Sequence, residues 1–322
     1  MLKWYFIFFS IFFMGLNACS DASVRVEKLE VIEIDFPTVP VEDYIRSYVN
    51  RAYFDERNQL QWNDNPLTPS LCTNSSHNRK LVCRRKVLLL NPRVDLCECS
   101  DVSDASKRLI GLDDKEKIIW QRDLSPSQET PVGTTPQAIV LNTLEVISPK
   151  TGTVLEPAIM KSVRGTNRLI QNRWGELIPK YRFYTPIAFR VKTKDFLLFD
   201  AEVSLFTSKG GLYLFNPKNE TKELVKKVER YFFKYLEVKD IAFSQNEKLA
   251  FLAQKWETRG PDGVSFAIFD LEKKQIVFEE RLENACSCDE PFVVVGKNGN
   301  VAIFYRNHNI HKHIVVHYVI SP

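Results

Sequence analysis

IAFSQNEKLAFLAQKW (241–256) sets two apolar runs on either side of the polar segment Ser244 to Lys248, the pattern of strand, tight turn, strand. The same texture extends in both directions. VLLLNPRVDLC (87–97), LEVISPKTGTVL (144–155), LYLFNPKNETKELV (212–225) and FAIFDLEKKQIVF (266–278) each run an apolar segment into a turn and out again, and the chain closes on VVHYVISP (315–322). Taking Asn91, Ser148, Asn216, Asp270 and Ser321 as equivalent gives spacings of 57, 68, 54 and 51 residues. KIIWQRDL (117–124), DFLLFDAEVSLFT (195–207) and PFVVVGKNGNVAIFYRN (291–307) supply further strands between these units, and Asn298-Gly299 is a hairpin turn signal. Units of this length with several strands each predict a mainly β chain of about five β-propeller-like blades.

Ile241 to Gln254 also resembles the strand–turn–strand of TolB-type and WD-repeat propellers. Ser244 and Lys248 keep that pattern, while Gln245-Asn246-Glu247 stand where it has Pro-Asp-Gly. The long interval 155–195 is expected to hold an insertion. Two stretches have helical spacing. Val41, Tyr44, Ile45, Tyr48, Val49, Ala52 and Tyr53 predict an N-terminal amphipathic helix. Leu224, Val225, Val228, Tyr231, Phe232, Tyr235 and Leu236 predict a helix inserted between strands, with Asn219 as its cap; two short blade strands are the alternative.

The chain has 322 residues, 44% hydrophobic and 26% charged, with 22 Phe and 11 Tyr, enough to build a packed core. A net charge of +4 with no basic stripe does not predict a nucleic-acid partner.

MLKWYFIFFSIFFMGLNAC (1–19) places Lys3 before an apolar run from Trp4 to Leu16. The run is short for a membrane span and fits the hydrophobic part of a signal peptide. Leu16-Asn17-Ala18-Cys19 resembles a bacterial lipobox. The resemblance implies cleavage before Cys19 and acylation of its thiol, which anchors the chain in a membrane. Loss of residues 1–18 leaves 43 basic residues against 40 acidic, a net +3. Ser20 in place of an Asp resembles an outer-membrane sorting signal and implies the periplasmic side of that membrane. The expected organisation is a signal peptide over 1–18, a lipid-anchored tether over 19–40, the helix and a disulfide loop over 41–80, and the propeller-like domain over 81–322.

Six cysteines remain: Cys72, Cys83, Cys97, Cys99, Cys286 and Cys288. An even number in an exported chain predicts disulfides. Cys72 and Cys83 bracket a polar stretch that suits a short closed loop. Cys97-Glu-Cys99 and Cys286-Ser-Cys288 lie nearly 190 residues apart and are expected to cross-pair, with a four-thiolate metal site as the rival. On a strand, His311, His313 and His317 would share one face, expected to be a wet one, and His311 and His313 are the candidate metal ligands. Arg84-Arg85-Lys86 is a basic triplet suited to a solvated hairpin or to an anionic surface.

Nucleophile elbows, phosphate loops and zinc-helix motifs do not occur, so no catalytic residue and no cofactor is predicted. The expected function is a non-enzymatic module that binds a macromolecule, most simply a protein, as a scaffold, assembly factor or toxin-neutralising partner. A propeller-type hydrolase of glycan or cell-wall material and a metal-handling protein are the alternatives.

Overall fold

The computed structural model describes residues 24–35, 51–63, 83–100, 105–124, 131–159, 169–171, 177–179, 183–203, 208–219, 221–230, 234–258, 263–282, 291–307 and 310–321. They form five antiparallel four-stranded sheets arranged as the blades of a β-propeller, plus two short hairpins. The N-terminal strand β1 (Arg25–Asp35) and the hairpin β2 (Arg51–Phe54) and β3 (Leu60–Asn63) precede the first blade. Blade one is β4 (Cys83–Leu90), β5 (Arg93–Ser100), β6 (Ala105–Leu112) and β7 (Ile118–Leu124). Blade two is β8 (Pro131–Thr134), β9 (Ile139–Leu141), β10 (Val146–Ile147) and β11 (Val154–Glu156). The 155–195 interval carries the hairpin β12 (Leu169–Gln171) and β13 (Leu177–Pro179). Blade three is β14 (Phe183–Arg190), β15 (Asp195–Val203), β16 (Ser208–Asn216) and β17 (Thr221–Arg230). Blade four is β18 (Lys234–Phe243), β19 (Leu249–Thr258), β20 (Gly263–Asp270) and β21 (Gln275–Leu282). Blade five takes β22 (Phe292–Val295), β23 (Asn300–Asn307) and β24 (Lys312–Ser321) from the C-terminus and its outermost strand, β1, from the N-terminus.

The core lies between blades. One apolar cluster joins blades one and two through Leu109 and Ile139, and the next joins two and three through Val140 and Phe196. Leu212 and Phe269 bridge three and four, and Phe266 and Tyr318 bridge four and five. A fifth cluster packs Ala52 and Phe54 of β2 on Ala302, Phe304 and Val315 of blade five. The β2–β3 hairpin therefore covers the flank of blade five that in the other blades meets the next blade. Strands sandwiched this way are buried on both faces, and β20 is buried along its whole length. Ion pairs repeat the stitching on the surface: Arg122 with Glu145, Lys194 with Glu156, Lys274 with Glu223 and Lys28 with Glu280. The exposed pairs among these contribute about 0–1 kcal/mol each, whereas Arg122–Glu145 is largely buried, with the Glu145 side chain 9% exposed.

The turns after the third strands explain the repeat seen in the sequence. Asp113, Asn216 and Asp270 each accept backbone N–H bonds from residues two to four places on, and the Ser148 hydroxyl does the same. Ser148, Asn216 and Asp270 are thus equivalent, and Ser321 matches them in position as the last residue of the third strand of blade five. Asn91 is not: it sits in the turn between the first and second strands of blade one, where Asp113 is the true counterpart.

Several expectations change. The helix expected over 224–236 is strand β17 followed, after residues outside the described set, by β18. A bulge opposite Leu212/Tyr213 leaves Val225 buried at 7% and Leu224 exposed at 47%, and this break in alternation imitates a helical period. For the N-terminal helix, residues 36–50 lie outside the described residues, and Ala52 and Tyr53, its last members, belong to strand β2. The tether expected over 19–40 is docked from Arg25 to Asp35 as β1, paired along β24. The His-bearing strand is not wet on one face. His313 is fully buried and stacks on Phe304, and His317 is covered by Phe54 and held between β1 and β23. The Asn300 amide donates to the Lys297 carbonyl, so its oxygen faces His317, whose Nε2–H donates at 2.8 Å; Nδ1 lies 3.4 Å from Glu30.

Tyr318 is buried in the blade four–five cluster and donates to Glu280 at 2.9 Å. Burial, reinforced by the Glu280 charge, holds its hydroxyl well above the ordinary phenol value of 10.0. The unfolded chain ionises near pH 10 while the folded chain does not, so this contribution is intact below pH ~10 and lost as pH rises further. Wild type should therefore lose stability above pH ~10 more steeply than Tyr318→Phe. Parallel urea-unfolding curves across that range would contradict the assignment.

Candidate functional site: the channel mouth

Each blade's first-to-second-strand turn points toward the propeller axis at one end of the ring. Together these turns surround a cavity of about 800 Å³. Its wall takes Asn91 and Pro92 from blade one, Thr134, Pro136 and Gln137 from blade two together with Ser148 to Lys150 of that blade's third-to-fourth-strand turn, and Val191 and Lys192 from blade three. Blade four adds Lys239, Asp240, Gln245 and Glu247, and blade five adds Phe292 to Lys297. The β2–β3 turn fills the remaining sector with Asp55 and Asn58.

Blade four shows how the turn is built. The Ser244 hydroxyl donates to the Asn246 side chain and accepts from Leu249 N–H, and Asn246 accepts from Lys248 N–H. This is the turn on which the resemblance to TolB-type and WD-repeat propellers rests. Glu247 stands where that pattern has glycine, and it adopts the left-handed backbone that favours glycine, with φ 58°. A non-glycine residue there costs on the order of 1 kcal/mol or more. The carboxylate offsets that cost by accepting both Val191 N–H at 3.0 Å and Lys192 N–H at 2.9 Å, clamping the blade-four turn to the blade-three turn. Glu247 is only 6% exposed.

The other two acids of the cavity are engaged in the same manner. Asp240 accepts Ile241 N–H on one oxygen and Val293 N–H on the other, joining blades four and five. Asp55 accepts Gln59 N–H and the Gln61 amide. Asn58 exchanges two hydrogen bonds with the Lys297 backbone, and Asn91 donates to the Phe54 carbonyl. The polar wall thus clamps blade three to four, four to five, five to the β2–β3 hairpin, and the hairpin to blade one. Lys150, Lys192, Lys239 and Lys297 are its basic members.

Charge-assisted bonds to backbone N–H groups are worth about 1.5–3 kcal/mol each. Glu247→Ala removes two of them and keeps the strained backbone, so it should lower stability by about 3–6 kcal/mol. Glu247→Gln retains one good acceptor and should lose roughly half as much. Chemical denaturation of the two variants measures the difference, and equal, negligible losses would refute the clamp.

The residues singled out in the sequence lie elsewhere. His311 occupies the β23–β24 turn with φ 52°, which takes it out of the strand alternation that would align it with His313. Among the described residues no group of three or more His, Cys, Asp or Glu side chains gathers to hold a metal. Cys97 is buried beside Ile110 and Leu112 and is disulfide-bonded. Cys83 faces Cys99 in the β4–β5 backbone register. Cys19, Cys72, Cys286 and Cys288 lie outside the described residues, as do the side chains of Arg84, Arg85 and Lys86. The sequence singles out neither Asp240 nor Glu247 as a site residue; Glu247 stands there only as a departure from the turn pattern, and a Glu in the glycine position is the signal that could have found it.

No family model matches the chain, and no curated protein matches it. Among solved structures it is similar to hydrazine synthase of Kuenenia stuttgartiensis, at 10% identity over 66% of this chain and 53% of that one, with a TM-score of 0.35. The chain thus spans about half the length of that protein. It is also similar to a member of the duf4221 family from Bacteroides vulgatus, at 9% identity over 93% of this chain and 99% of that one, with a TM-score of 0.38. A third is the PQQ-bound aldose sugar dehydrogenase of Streptomyces coelicolor, at 9% identity, the same two coverages and a TM-score of 0.43.

Proposed function

We propose that this protein is a lipid-anchored envelope module that binds a macromolecular partner, a protein, without turnover. The observation that supports this reading is the state of the cavity's carboxylates. Asp55, Asp240 and Glu247 are the acids of its wall, and each has both oxygens committed to structural hydrogen bonds. Glu247 and Asp240 hold neighbouring blades together and Asp55 holds the β2–β3 hairpin, so the ring as a whole presents rigid surfaces with little ordering cost on binding. The anchor is the acylated Cys19 implied by the lipobox resemblance.

Two measurements test the two halves. Radiolabelled palmitate should label the wild type and not Cys19→Ala; equal labelling would remove the anchor. Affinity capture from envelope extract with the full chain should recover a stoichiometric protein partner. Reproducible hydrolysis of a glycan or lipid, with no partner retained, would overturn the binding reading in favour of an enzyme.

A further inference from the structure

We infer that the end of the ring carrying the channel mouth lies against the bilayer and contacts its anionic headgroups. The inference rests on the acylation of Cys19 proposed above. In an antiparallel four-stranded blade, the turn after the first strand and the turn after the third lie at the same end. β24 is the third strand of blade five and ends at Ser321, whose partner across the ladder is Arg25, the first residue of β1. The chain therefore enters the ring at the end that holds the cavity-lining turns. From Cys19 to Arg25 is six residues, a reach of at most about 20 Å at 3.3–3.6 Å per residue. An acyl group at Cys19 keeps this end of blade five close to the membrane.

That reach allows the ring to stand on its turns or to lie on its rim, and charge selects between the two. The rim beside the anchor is β1, RVEKLEVIEID, with four carboxylates against Arg25 and Lys28. An anionic surface repels it. The turn end is basic, and every blade presents an exposed lysine there: Lys115, Lys150, Lys192, Lys273 and Lys297 in blades one to five. Part of the acidic complement of that end is turned onto backbone N–H groups, as at Asp113, Asp270 and Glu247. Lysines near an anionic leaflet are attracted within a Debye length, about 8–10 Å at physiological salt. The partner of the module is then met by the opposite end or the outer wall.

The test uses the acylated full chain, added from detergent to preformed vesicles of phosphatidylethanolamine and phosphatidylglycerol, or of phosphatidylcholine alone. A membrane-impermeant lysine-acylating reagent followed by peptide mass spectrometry reads each lysine. In the phosphatidylglycerol vesicles Lys150, Lys192 and Lys273 should react several-fold more slowly than in phosphatidylcholine, while Lys312, at the opposite end of β24, is unchanged. Salt near 1 M, where the Debye length falls to about 3 Å, should restore their reactivity. The double variant Lys150→Glu, Lys192→Glu should release Lys273 while still floating with the vesicles. Co-flotation with unprotected turn lysines, or with Lys312 protected in their place, overturns this inference and leaves the anchor intact. Failure to float with either vesicle removes the anchor and this inference with it.

Discussion

A chain that starts at residue 36 should lose cooperative unfolding. Such a chain lacks β1, and blade five is left with three strands. β1 pairs with β24 from Arg25↔Ser321 to Asp35↔Lys312. On one side Val24 and Val26 pack on the blade four–five cluster, and on the other Ile32 and Ile34 pack on the cluster under the β2–β3 hairpin. Each is partly buried, worth about 1–1.5 kcal/mol, so their joint loss is about 4–6 kcal/mol before any ladder bonds are counted. That approaches the whole margin of an ordinary domain, about 5–15 kcal/mol. The truncated chain should show a broad, low-midpoint urea transition and self-associate through the bared edge of β24. Adding the peptide of residues 24–36 in trans should partly restore the transition, since an extended peptide can complete a sheet edge. An unchanged sharp transition would show that the ring closes without this strand.

Phe266→Ala should be the most costly single substitution in the blade walls, at about 3–5 kcal/mol. Phe266 is fully buried on β20, with the Tyr318 ring 4.8 Å away, Phe278 at 6.0 Å and Phe251 at 6.4 Å. Its neighbours are other rings on stiff strands, which cannot collapse into the space a phenyl leaves. Phe266→Leu fills most of that space and should cost markedly less. Equilibrium unfolding of both variants decides the matter, and similar small losses would mean that the site relaxes.

The blades were legible because each repeats the same turn chemistry. An Asx or Ser cap after the third strand is a local requirement, and local requirements appear in one sequence without alignment. The same chemistry misled at Asn91, since Asn-Pro serves equally well in a turn one strand earlier. What could not be read was long-range pairing. RVEKLEVIEID has a bulge between Lys28 and Glu30 that splits its alternation, and its many charges resemble a solvated tether. With β1 unplaced, the polar residues of β24 looked as though they faced water; His313 was weighed as a ligand beside His311, and His317 was set on a wet face, when His313 and His317 are parts of the wall. At the channel mouth the lysines and acids were scattered through the sequence, and only closure of the ring brings Asp240 to Val293 and Glu247 to Val191.

The pairing of β1 with β24 also fixes how the molecule bears load. The N-terminal end of β1 is Arg25, at the Ser321 end of the ladder. Tension drawn from that side runs parallel to β1 and falls on the whole run of rungs from Ser321 to Lys312 at once, a shearing geometry. Tension from the Asp35 end, directed away from the ring, would instead open the ladder rung by rung. A ring pulled from that end is held by all the rungs of this ladder acting together.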